Sequence, residues 1–119
     1  MKLLKIVFPV FLIFAIIALD SGDKIRGLGM WSDGYWYPAI FIPEGNNYKA
    51  YFDDGDFAIL DSSRIKALYW KVGTKVECNW LGRGIYYPGK ITSMDGDRIH
   101  IFYDDGDEEN TVVGRCRSK

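Results

Sequence analysis

Tyr51-Phe52-Asp53-Asp54-Gly55-Asp56 and Phe102-Tyr103-Asp104-Asp105-Gly106-Asp107 are nearly one hexapeptide written twice. In each, two aromatic residues run into an Asp-Asp-Gly turn. Gly accepts positive φ and the preceding Asp bonds its own backbone, so each hexapeptide is a hairpin signal. The residues leading into it alternate. Tyr48, Ala50 and Phe52 interleave with Lys49, Tyr51 and Asp53, and Ile99, Ile101 and Tyr103 interleave with His100, Phe102 and Asp104. A two-residue period belongs to a half-buried strand.

Upstream, the duplication continues. Trp31-Ser32-Asp33-Gly34-Tyr35-Trp36-Tyr37-Pro38-Ala39 parallels Trp80-Leu81-Gly82-Arg83-Gly84-Ile85-Tyr86-Tyr87-Pro88-Gly89, and downstream Arg64-Ile65 falls opposite Arg115-Cys116. Each copy is roughly 45 residues, one supersecondary unit. Asn46-Asn47 and Asp95-Gly96-Asp97 mark a second turn, and Asp33-Gly34 and Gly82-Arg83-Gly84 a third. The prediction is all-β, with about five short strands per copy curling into a small barrel that hides its edges. No useful amphipathic helix follows residue 22. The units are expected at 23–68 and 74–119, joined by a 69–73 linker. Leu68, Tyr69, Trp70 and Val72 are the expected contact residues of a rigid tandem, because an apolar linker does not behave as a flexible string.

The order Trp, Gly-x-x-Tyr-Pro-Gly, aromatic-Asp-Asp-Gly-Asp resembles the Tudor and Agenet branch of SH3-like barrels. It is fullest at Trp80, Gly84 to Gly89 and Tyr103 to Asp107, and it covers 25–67 and 74–118. The resemblance implies two five-stranded SH3-like (Tudor-like) barrels in tandem. It also implies aromatic cages for a methylated lysine or arginine: Trp31, Tyr37 and Phe52 with Asp54 in the first copy, Trp80, Tyr87 and Tyr103 with Asp105 in the second. Cages of this kind are often closed by a further aromatic after the Asp-Asp-Gly turn. Here those positions are Asp56 and Asp107, so each cage is expected to be three-walled and more acidic. Trp36 and Tyr86 precede the cage tyrosines by one residue and point to the opposite strand face, as core or interface. Asp53 and Asp104 read as turn-stabilising. The same resemblance puts Cys78 on the first strand and Cys116 on the last, which are neighbours in such barrels. A Cys78–Cys116 disulfide is then expected, with two reduced core thiols as the alternative.

The chain has 119 residues, is 48% hydrophobic and 26% charged, and carries a net charge of -1. That balance argues against a general electrostatic grip on nucleic acid or an anionic membrane. A single histidine, His100, argues against His-based metal sites and His-dependent triads. The acidic run Asp104, Asp105, Asp107, Glu108 and Glu109 lacks the spacing of a calcium loop, so no metal or other cofactor is expected. Lys2 and Lys5 precede an uncharged apolar stretch, Ile6 to Leu19, and a polar exit at Asp20-Ser21-Gly22. Residues 1–22 therefore read as a secretory signal peptide or, uncleaved, a membrane anchor. The functional expectation is a secreted or cell-envelope, non-enzymatic module that binds a protein or peptide bearing cationic or methylated side chains. The alternative is an exported structural or interaction module of the envelope with no dedicated pocket.

Overall fold

The computed structural model describes residues 24–119. The expected export segment at 1–22 lies outside them. Strands β1 Ile25–Met30, β2 Trp36–Glu44, β3 Asn47–Phe52, β4 Phe57–Leu60 and β5 Ile65–Lys66 form one sheet in the order β4-β3-β2-β1-β5. Strands β6 Lys75–Asn79, β7 Tyr86–Asp95, β8 Arg98–Tyr103, β9 Glu108–Val112 and β10 Cys116–Arg117 form the other, in the order β10-β6-β7-β8-β9. Every ladder is antiparallel. Both sheets follow the same path: a four-strand meander, then a short fifth strand beside the first. The all-β architecture is thus two five-stranded units, compatible with a tandem of small SH3-like barrels. Each fifth strand follows a 3-10 turn, Ser62–Arg64 or Val113–Arg115.

The hexapeptide turns close as their residues dictate. The Phe52 N–H donates to the Asp56 carbonyl at 2.9 Å and the Tyr103 N–H to the Asp107 carbonyl at 2.7 Å. Gly55 and Gly106 sit at φ 97° and 99°, where a side chain is strained. Asp54 Oδ1 accepts from the Asp56 N–H at 3.0 Å, and Asp105 Oδ1 from the Asp107 N–H at 2.9 Å. The second turn falls one residue from its expected place in the first unit, at Gly45-Asn46, because Gly45 takes the left-handed conformation and Asn47 already pairs with Glu44.

The two cores exchange volume between equivalent positions. On the inner face of β1 stand Gly27 and Gly29, and a Cβ on Gly29 would lie 3.1 Å from the Phe52 ring. Their counterparts on β6 are Val76 and Cys78. Opposite the glycines, Phe41 and Phe52 fill the space; in the second unit Ile91 and Tyr103 stand in their places. Cys78 and Cys116 are register partners, their Cα atoms 4.0 Å apart, and are disulfide-bonded and buried.

The units share apolar surface. Leu28, on the outer face of β1, belongs to the second unit's core together with linker residue Trp70, and Trp36 and Leu68 pack against it. Tyr69 and Val72, expected at the contact, are instead half or more exposed. Ser118 bridges to Trp36 by two backbone hydrogen bonds of 2.8 and 3.0 Å. Arg26 grips Asp53 with both terminal guanidinium nitrogens, at 2.6 and 2.7 Å, and reaches Asp97 of the second unit at 3.2 Å. Asp53 thus serves as the ion-pair partner of Arg26, while the expected turn-stabilising bond is made by Asp54 instead.

Candidate functional site: an aromatic and acidic cavity at the mouth of the first unit

Trp31 leaves the end of β1 and enters a tight loop. Its N–H donates to the Tyr35 carbonyl at 3.0 Å, Gly34 turns at φ 84°, and Asp33 Oδ1 accepts the Tyr35 N–H at 2.9 Å. The loop leaves Asp33 Oδ2 facing Tyr37, whose hydroxyl donates to it at 2.6 Å. Phe52, the last residue of β3, faces inward, and the turn that follows carries Asp54 and Asp56.

These residues enclose a cavity of about 110 Å³ lined by Trp31, Asp33, Tyr37, Phe52, Asp54, Asp56 and Tyr86. The rings meet edge to face: Trp31 and Phe52 at 5.3 Å between centroids, Tyr37 and Phe52 at 6.4 Å, Tyr37 and Tyr86 at 6.4 Å. At roughly 30 Å³ for a water-sized group, the space holds about four such groups. That suits the head of one side chain and falls well short of the ~300–1,000 Å³ of pockets for whole small molecules.

The carboxylates act on the phenols around them. The Tyr37 hydroxyl is pushed up to about 12 by burial and then by its hydrogen bond to Asp33. It therefore stays protonated and keeps donating across the physiological range. Burial raises the Tyr86 hydroxyl; Arg117 opposes this, and the charges of Asp54 and Asp33 add to it. The cavity thus has π-faces and negative charge together, an arrangement that attracts a weakly hydrated cation.

The expected first-copy set, Trp31, Tyr37, Phe52 and Asp54, is brought together around one space. Asp56 adds a carboxylate at the position where an aromatic was missing. Asp33 and Tyr86 were not foreseen as members. Asp33 carried only a turn signal. Tyr86 is an interface residue, as its strand parity implied, but it reaches across from the second unit to form a fourth wall. Repeat alignment could not show this, since it compares copies and says nothing of how they dock.

The second copy differs. Trp80 and Tyr87 approach at 6.5 Å, and Asp105 occupies its turn. Tyr103, buried like its counterpart Phe52, differs in its hydroxyl, which donates to Glu109 at 2.6 Å. Glu109 also accepts the Leu81 N–H beside Trp80, at 3.3 Å, and the Arg83 guanidinium lies over the Trp80 ring at 5.5 Å. Where the second unit has Glu109, the first has Ala58; where the second-unit loop carries Arg83, the first carries Asp33. The second mouth therefore has its acid and its cation supplied by the chain itself.

No family model matches the chain, and no curated protein does either.

Proposed function

We propose that the chain is a non-enzymatic, Tudor/Agenet-type protein-binding module in which the first unit captures a cationic or methylated lysine or arginine side chain of a protein or peptide partner. The observation that carries this reading is the cavity of about 110 Å³ with four rings and three carboxylates on its lining. A methylated ammonium sheds water easily, and each well-placed ring adds about 0.5–2 kcal/mol of attraction. The carboxylates add Coulomb attraction and accept hydrogen bonds from lower methylation states. The second unit is a structural partner whose own mouth is satisfied by Glu109 and Arg83. The apolar, uncharged run Ile6 to Leu19 supports a secreted or envelope location, so the partner is an extracytoplasmic protein.

The test is tryptophan fluorescence during titration with peptides carrying unmodified, dimethylated or trimethylated lysine. Binding of methylated forms is expected, lost at least tenfold in Trp31→Ala and unchanged in Trp80→Phe. A flat titration with every peptide, or a loss confined to Trp80→Phe, overturns the reading.

A further inference from the structure

The fourth ring of the cavity is held in place by one residue that does not line it. The Arg117 guanidinium carbon lies 3.9 Å from the Tyr35 ring centroid and 4.1 Å from that of Tyr86. Its Nη1 donates to the Tyr37 hydroxyl at 3.2 Å, while Nε and Nη2 both reach Glu77 Oε1, at 3.1 and 3.0 Å. Asp33 stands 4.0 Å away. Arg117 therefore touches two walls of the cavity, Tyr37 from the first unit and Tyr86 from the second. Only a flat guanidinium can stack on two rings and still offer edge donors; an ammonium cannot.

The backbone of Arg117 is fixed on both sides. Strand β10 has two residues, Cys116 and Arg117, paired with Cys78 and Glu77. The buried disulfide precedes Arg117, and the Ser118–Trp36 bridge follows it. A strand this short would hold a side chain loosely without such pins.

We propose that Arg117 is the positioning residue of the cation site: it sets Tyr86 against Tyr37, so the four-walled cavity exists only when the second unit is docked. This rests on the reading of the cavity as a cation site. Two effects of removing Arg117 have opposite sign, and that separates them. Arg117 partly neutralises Asp33, so as a mere neighbouring charge its loss would tighten cation binding. As a positioning residue, its loss weakens binding, because a wall is lost.

The experiment titrates a trimethyl-lysine peptide into the full chain, Arg117→Gln and Arg117→Lys, following affinity and the upfield ring-current shift of the N-methyl protons. Both variants are expected to bind roughly 2- to 30-fold more weakly, the range for one ring contact, with a smaller N-methyl shift. Tyr35→Leu, which removes the other stacking face without touching the cavity lining, serves the same purpose should Arg117→Gln not fold, and is expected to weaken binding likewise. Unchanged affinity in Arg117→Lys with equal or tighter binding in Arg117→Gln overturns the proposal while leaving the cation site intact. Absence of binding by the unaltered chain overturns the cation site and this proposal with it.

Discussion

Phe52 and Tyr103 hold the same place in the duplicated hexapeptide, yet one lines a cavity and the other closes a mouth. The difference lies in their neighbours. Phe52 faces Gly29 and has no hydroxyl to satisfy; Tyr103 has its hydroxyl bound to Glu109. His100 is another residue whose surroundings decide its chemistry. Its Nδ1 lies 2.7 Å from Asn110 Oδ1 and its Nε2 2.8 Å from Glu108 Oε1. Both ring nitrogens face oxygen acceptors, so the arrangement favours the doubly protonated ring, and its pKa is raised, first by the Asn110 bond and then by Glu108. A raised folded value contributes stability that is complete below the unfolded pKa of about 6.5 and is lost as pH rises through the folded value. The melting-temperature advantage of the chain over His100→Gln should therefore be greatest below about pH 6.5 and shrink as the pH is raised above it. A difference that stays constant with pH would contradict this account.

Among the strands, β3 with β4 and β8 with β9 were legible in advance, because alternation and an Asp-Asp-Gly turn specify a hairpin locally. The short fifth strands were expected from the resemblance, which put Cys116 on a last strand beside the first, and not from alternation. A two-residue strand carries no periodic signal and exists through its neighbour: β5 through Leu28 and Gly29, β10 through Glu77 and Cys78. The Cys78–Cys116 bond spans 38 residues of sequence and secures the second of these. Its first-unit counterpart is the pair Gly29 and Ile65, without a covalent link. Replacing both cysteines by alanine should lower stability by about 2–4 kcal/mol, read as an earlier urea midpoint. A midpoint unchanged within error would show that hydrogen bonding alone retains β10.

As a body, the described chain is elongated, 46 × 24 × 21 Å, but its cores are not separate. Leu28 from the first unit and Trp70 from the linker are buried with the second unit's Val76, Ile91 and Ile101. A unit of roughly 45 residues is near the lower limit for stability alone, and with a shared core the two should unfold together. Calorimetry is expected to give one transition, with calorimetric and van't Hoff enthalpies equal. Trp70→Ala should lower its midpoint by more than about 10 °C, since loss of a buried aromatic costs about 3–5 kcal/mol and each kcal/mol is worth about 4–8 °C in a chain of this size. Two resolved transitions in the unaltered chain would mean that the shared core does not couple the units.

Composition, alternation and repetition were enough to establish strands, turns and a duplicated all-β architecture, because each of these depends on residues close in sequence or on comparison of one copy with the other; Trp31, Tyr37, Phe52 and Asp54 were named only by the family resemblance. These signals did not distinguish an open mouth from a filled one. That depends on Ala58 standing where the second copy has Glu109 and on Asp33 standing where it has Arg83, differences whose meaning appears only once the strands are in register. Nor did they assign Tyr86 to the first cavity or Arg117 to the wall behind it. Contacts between docked units join residues as far apart as Tyr37 and Arg117, and no local pattern encodes which surfaces meet.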